Sequence, residues 1–200
     1  MANKVVITGL GTLNPLGLNV EQTWQNLLAG KSGIARIQAF NPDEVGVGSK
    51  IAGEVKGFNP EDRLDRKDAR RLDRLSQLAL VAAMEAVALS GLKLEGDVRY
   101  QVGTVIATGV GGIATFIEQA DILRERGARR VSPFTVPMLM PNAASGVVSI
   151  KLGCWGPSFS TASACASSAD AIGIAVDMIR SGRAKAVITG GSEAGIIPLC

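Results

Sequence analysis

Cys165 has the sequence setting best suited to chemistry. It lies in Gly156-Pro157-Ser158-Phe159-Ser160-Thr161-Ala162-Ser163-Ala164-Cys165-Ala166-Ser167-Ser168, where small side chains on both sides leave room for a substrate. Strand-forming residues before it and an apolar-periodic stretch after it predict a strand-to-helix turn at the cysteine. Free backbone N–H groups and the positive dipole end at a helix start favour a thiolate, and the same N–H groups can hold an oxyanion. These are the requirements of a nucleophile that accepts an acyl group. The competing reading is a buried structural thiol, since free cysteine often packs as a small hydrophobe. Position rather than residue type favours the nucleophile. Cys154, in an expected loop, and Cys200, at the last position, have no such setting and read as structural.

The sequence contains no histidine, so neither a Ser-His-Asp nor a Cys-His arrangement can be built from these residues. Three cysteines without Cys-x-x-Cys spacing predict neither a disulfide framework nor a zinc cage, and no metal is expected. Gly109-x-Gly111-x-x-Ala114 has the form of a dinucleotide-binding fingerprint. Such a site needs an acidic residue about 20 positions on. Arg129-Arg130 followed by Ser132-Pro133 offers neither that acid nor a strand to carry it. Arg63, Arg66, Lys67, Arg70, Arg71 and Arg74 recur at helical spacing and would gather on one side of a helix. Asp62, Asp65, Asp68 and Asp73 are interleaved with them, and a solvated, salt-bridged face is the ordinary reading of such a run.

Around these residues the chain alternates strands and helices. Val5 to Gly9 reads as a buried strand, and Asn19, followed by Trp24, Leu27 and Leu28, opens a helix that Gly30 ends. The section from Lys31 to Leu64 is rich in loops, with a hairpin expected around Ile51 to Val55. Leu72 to Leu89 predicts a largely buried helix, Val102 to Thr108 a buried strand, and Ile113 to Arg126 a helix after a glycine loop. Phe159 to Ala164 predicts a strand running into Cys165, Ala166 to Arg180 a central helix, and Ala184 to Thr189 another strand. This alternation implies an α/β fold with a mostly parallel sheet covered by helices on both faces.

Bulk properties narrow the classes. The 200 residues, 46% of them hydrophobic, suit a globular domain, and the net charge of +3 is too small to mark a nucleic-acid binder. Apolar stretches such as Leu78 to Met84 fall well short of the roughly 20 residues that span a bilayer, and no signal peptide is evident. A cytoplasmic protein is expected.

Thr161-Ala162-Ser163-Ala164-Cys165-Ala166-Ser167-Ser168, followed by Ala171-Ile172-Gly173, resembles the active-site segment of the β-ketoacyl-acyl-carrier-protein synthases I and II. Val5-Val6-Ile7-Thr8-Gly9-Leu10-Gly11, Ser132-Pro133-Phe134-Thr135-Val136-Pro137 and Gly190-Gly191-Ser192-Glu193-Ala194 are similar to that family in the same order, closest to synthase II. The resemblance implies a thiolase-like fold of which residues 1–200 form the N-terminal part, in a homodimeric enzyme of fatty acid elongation without a cofactor. Cys165 would take an acyl group from acyl carrier protein, and the carbanion left by decarboxylation of malonyl-carrier protein would attack it. The two histidines and the lysine that such enzymes also use would come from a second half, absent here. Lys67, Arg70, Arg71, Arg129 and Arg130 match positions that meet the acidic carrier protein. Val110 matches an acyl-pocket position, although a loop residue packed on the core reads equally well. Phe134 and Thr135 match a segment near the dimer interface where the pocket borrows from the partner subunit. A non-condensing subunit resembling a chain-length factor is the alternative, and Cys165 speaks against it.

Overall fold

The computed structural model describes residues 4–200. Asn19 caps α1 (Val20–Leu28), its side chain accepting from the Gln22 N–H at 2.8 Å, as the sequence predicts. The apolar face of α1 nevertheless points outward, leaving Trp24, Leu27 and Leu28 exposed. β1 (Ala35–Arg36) and β2 (Ile51–Ala52) pair antiparallel across the intervening α2 (Pro42–Val45). The pairing expected around Ile51 to Val55 is therefore a two-residue ladder to a distant segment rather than a local hairpin.

The basic run does not form one helix. α3 (Arg66–Arg71) stops where Leu72 turns extended, with ψ 136°, and Asp73 then caps a new helix, α4 (Arg74–Ser90). Gly91, in the left-handed region at φ 67°, ends α4. Next come β3 (Val102–Ala107), α5 (Ile113–Arg126), α6 (Thr135–Leu139), α7 (Ala143–Leu152), β4 (Ser158–Phe159), α8 (Ser167–Arg180) and β5 (Ala186–Gly191).

The parallel sheet runs in the order β4-β3-β5. Every residue of β3 is buried, and its alternation sends Ile106 to a core shared with α4 and α7, while Val105 and Ala107 meet Ala171 and Met178 of α8. Both faces are thus covered, as the strand-helix alternation implies. The cover over α8 is one-sided: Ala171, Ala175 and Met178 are buried, and Ile172 is exposed. The central position expected for this helix is half realised among the described residues.

Val5 to Gly9 is not a strand. The two sides of β3 are occupied by β4 and β5, and the N-terminal segment rests on α4 instead. A Cβ at Gly9 would stand 2.1 Å from the Ala86 carbonyl oxygen, so only glycine permits this approach. Ile7 is left 80% exposed in this position.

Candidate active site around Cys165

The strand before Cys165 is shorter than the sequence predicts, because the chain leaves the sheet after Phe159 and curls towards α8. Ala164 sits at φ 51°, a left-handed conformation that costs an L-residue about 1–2 kcal/mol. Hydrogen bonds hold this turn. The Ser167 hydroxyl donates to the Ala164 carbonyl at 2.7 Å and accepts from the Ser163 N–H at 2.8 Å, while the Ser167 N–H also donates to the Ala164 carbonyl. The Ser163 hydroxyl bonds the Asp170 carboxylate one turn into the helix. Cys165 therefore projects, exposed, from a sharp bend just ahead of α8.

Burial separates the three thiols. Cys154 is enclosed, and burial pushes its thiol up to about 11, whereas Cys165 and Cys200 are exposed. The structural reading of Cys154 agrees with this placement. Beside the bend, Thr161, Ala162, Ala169, Asp170, Gly173, Ile174 and Asp177 line an open depression of about 500 Å³.

The glycine loop after β3 flanks the same bend. A Cβ at Gly109 would lie 3.8 Å from the Ala164 carbonyl oxygen, which places the loop directly against the residue before the cysteine. On its far side the loop packs on α6, where the Gly112 N–H donates to the Leu139 carbonyl at 3.1 Å. Val110 projects from this loop and is exposed. Phe134 and Thr135 open α6, with the Thr135 hydroxyl donating to the Ser132 carbonyl at 2.6 Å. The bend at Cys165, the loop of Val110 and the helix of Thr135 thus form one continuous set of contacts.

That loop also bears on the dinucleotide fingerprint. The N–H groups of Gly109 and Val110, which would cradle a pyrophosphate, donate instead to the Glu193 carboxylate at 2.7 and 3.2 Å. A carboxylate already fills the place of the anion.

The cations divide. Lys67, Arg70 and Arg71 stand exposed on α3, and Arg129 and Arg130 stand exposed in a short 3-10 turn, Ala128–Arg130, after α5. Arg74 is withdrawn from the face the spacing predicts. Its guanidinium donates to the Phe58 and Val55 carbonyls and lies 4.6 Å from the centre of the Phe58 ring, and burial lowers its pKa. Arg71 stacks over Phe134 at 4.6 Å, joining the basic helix to the start of α6. The interleaved acids are not simply a solvated face either. Asp65 caps α3 by accepting from the Asp68 N–H, which holds its carboxyl below the usual range. Asp68 itself pairs with Lys151 of α7, and Asp73 is buried.

Sequence reasoning gave Asp73 and Glu193 no individual role. Nothing in their spacing reveals their partners. Thr115 lies 42 positions from Asp73, and Gly109 lies 84 from Glu193.

A cysteine held at a strained turn between a parallel sheet and a helix defines the class: a thiolase-like α/β domain. The chain belongs to the β-ketoacyl synthase N-terminal domain family, whose model matches residues 2–199. It is 46% identical over 193 residues to a 3-oxoacyl-(acyl-carrier-protein) synthase 2 of Staphylococcus aureus strain N315, covering 96% of this chain and 46% of that protein. A protein of the same name from Synechocystis is 40% identical over 98% of this chain and 47% of its own. The chain spans about half the length of the curated relatives it matches. Among solved structures, the ishigamide ketosynthase/chain length factor superposes with a TM-score of 0.86 at 26% identity, over 97% of this chain and 48% of that one. A β-ketoacyl synthase from Burkholderia phymatum superposes with a TM-score of 0.75 at 28% identity, over 92% and 45%. No helix of the described residues is long and apolar enough to cross a membrane.

Proposed function

We propose that residues 1–200 form the N-terminal part of a β-ketoacyl-acyl-carrier-protein synthase of fatty acid elongation, and that Cys165 is its acyl acceptor. The observation that carries this reading is the exposed Cys165 directly after Ala164 at φ 51°, a bend whose strain is held in place by Ser167. The Cys165 thiolate attacks the thioester carbonyl of acyl-carrier protein, and the carbonyl oxygen becomes an oxyanion. Collapse of that intermediate breaks the carrier's carbon–sulfur bond, leaves an acyl-cysteine thioester and releases the carrier thiolate, which takes up a proton. Malonyl-carrier protein then loses carbon dioxide, and the carbanion attacks the acyl-cysteine carbonyl, returning the Cys165 thiolate. The proton-handling groups for this second step lie outside these 200 residues, which hold no histidine.

The 46% identity to proteins named as synthase 2 supports the same reaction. Lys67, Arg70, Arg71, Arg129 and Arg130 dock the acidic carrier protein, while Val110, Phe134 and Thr135 border the acyl chain. The working protein is a cytoplasmic homodimer whose pocket Phe134 and Thr135 help to close.

Intact-protein mass spectra before and after exposure of the full-length protein to long-chain acyl-carrier protein test this. One acyl adduct is expected, absent from Cys165→Ala. A folded, full-length protein that gains no adduct overturns the acyl-acceptor role and moves the assignment to a non-condensing, chain-length-factor-like subunit.

A further inference from the structure

β3 and β5 are parallel neighbours in register, Ala107 opposite Gly191, so their C-terminal ends emerge side by side. The ladder continues one step beyond the strands, with the Ser192 N–H donating to the Ala107 carbonyl at 2.9 Å. Glu193 therefore comes level with the glycine loop. A single carboxylate oxygen, Oε2, accepts from the Gly109 N–H at 2.7 Å, the Thr108 hydroxyl at 3.0 Å and the Val110 N–H at 3.2 Å. The Thr108 hydroxyl in turn accepts from the Gly111 N–H at 3.1 Å. Four consecutive residues are thus held, directly or through one hydroxyl, by one charged group. Hydrogen bonds to an ionised acceptor are roughly twice as strong as neutral ones. The held loop is glycine-rich and would otherwise move readily.

The loop has two other neighbours. Gly109 abuts Ala164, the residue before Cys165, and Gly111 and Gly112 abut α6, where added Cβ atoms would meet the Leu139 and Met138 carbonyl oxygens at 2.7 and 2.4 Å. Val110, its N–H tied to Glu193, is 57% exposed at the crest between them.

We propose that Glu193 is a positioning residue: by anchoring Thr108–Gly111 to the end of β5 it fixes the wall beside Cys165, and so sets which acyl chains reach the sulfur. This rests on Cys165 being the acyl acceptor. Glu193 touches no reacting atom, and its effect is on discrimination between chain lengths rather than on the reactivity of the thiol.

The test uses the full-length protein with Glu193→Ala, Glu193→Gln and Glu193→Asp. Gln keeps an oxygen that can accept from both N–H groups, while Asp keeps the charge but withdraws it by one methylene, which also serves if the Ala variant does not fold. Two quantities are read: amide hydrogen exchange at Gly109 and Val110, and the ratio of Cys165 acylation rates with a short and a long acyl-carrier protein. In Ala and Asp the exchange is expected to quicken by about tenfold and the ratio to flatten by a similar factor, with Gln restoring both in large part. Alkylation of Cys165 by iodoacetamide stays unchanged. Wild-type exchange and a wild-type ratio in a folded Ala or Asp variant overturn the proposal, as does Gln behaving like Ala. A wild-type protein that takes no acyl group refutes the acyl-acceptor role alone, and the exchange measurement still decides whether Glu193 holds the loop.

Discussion

Two thiols eleven positions apart in the sequence meet opposite surroundings. At Cys154 burial favours the neutral form, raising the thiol from 9.0 to about 11, and Cys165 stands in the open. Brief treatment of the native protein with iodoacetamide near neutral pH should label Cys165 and Cys200 and spare Cys154, as peptide mass spectrometry would show. Labelling of Cys154 at the rate of Cys165 would contradict its enclosure. The same group links stability to pH. Because its folded value is raised, the folded protein keeps this proton where the unfolded chain has lost it. The stabilisation is full below 9.0 and falls away as pH rises towards about 11. The urea midpoint should fall as pH rises across that window in the wild type, and fall less in Cys154→Ala.

At the scale of the element, Asp73 does the work of two residues. Its carboxylate caps α4 through the Leu75 N–H at 2.9 Å and accepts the Thr115 hydroxyl of α5 at 2.6 Å. Asp73→Ala should cost about 2–4 kcal/mol, the sum of a lost cap and a buried hydroxyl left without a partner. Asp73→Asn should recover much of that in urea unfolding, and a loss of only about 0.5 kcal/mol in Ala, the size of an ordinary surface change, would refute the assignment. Local signals made most elements legible in the sequence: Asn19 and Gly91 mark helix ends, β-branched runs mark β3 and β5, and small residues mark the bend at Cys165. What stayed hidden was non-local. An aspartate in an alternating charged run looks solvated until the break at Leu72 turns it inward, and Arg74 follows it for the same reason. The Val5 to Gly9 segment has a strand's composition, but its glycine lets it lie close on α4 instead of pairing. An alanine at positive φ gives no warning at all, since alanine is not a residue that prefers that region.

Over the whole molecule, exposed cations stand on α3 and after α5, and α3 is a braced element. The Lys151–Asp68 ion pair fastens α3 to α7, and Asp65 caps the same short helix. Lys67→Glu should raise the KM for acyl-carrier protein by about tenfold at low salt, with the difference shrinking as ionic strength rises, while iodoacetamide still labels Cys165 at the wild-type rate. An unchanged KM at low salt would remove α3 from the proposed docking surface. Arg71 behaves differently from its neighbours, because its guanidinium lies on Phe134, at the head of the helix against which the loop of Val110 packs. Under the roles proposed above for α3 and for the loop of Val110, partner choice and product length would not be separate traits. A lineage that altered position 71 to suit a new carrier would then inherit a change in the chains it makes, and compensating substitutions would gather around α6 rather than on the charged surface.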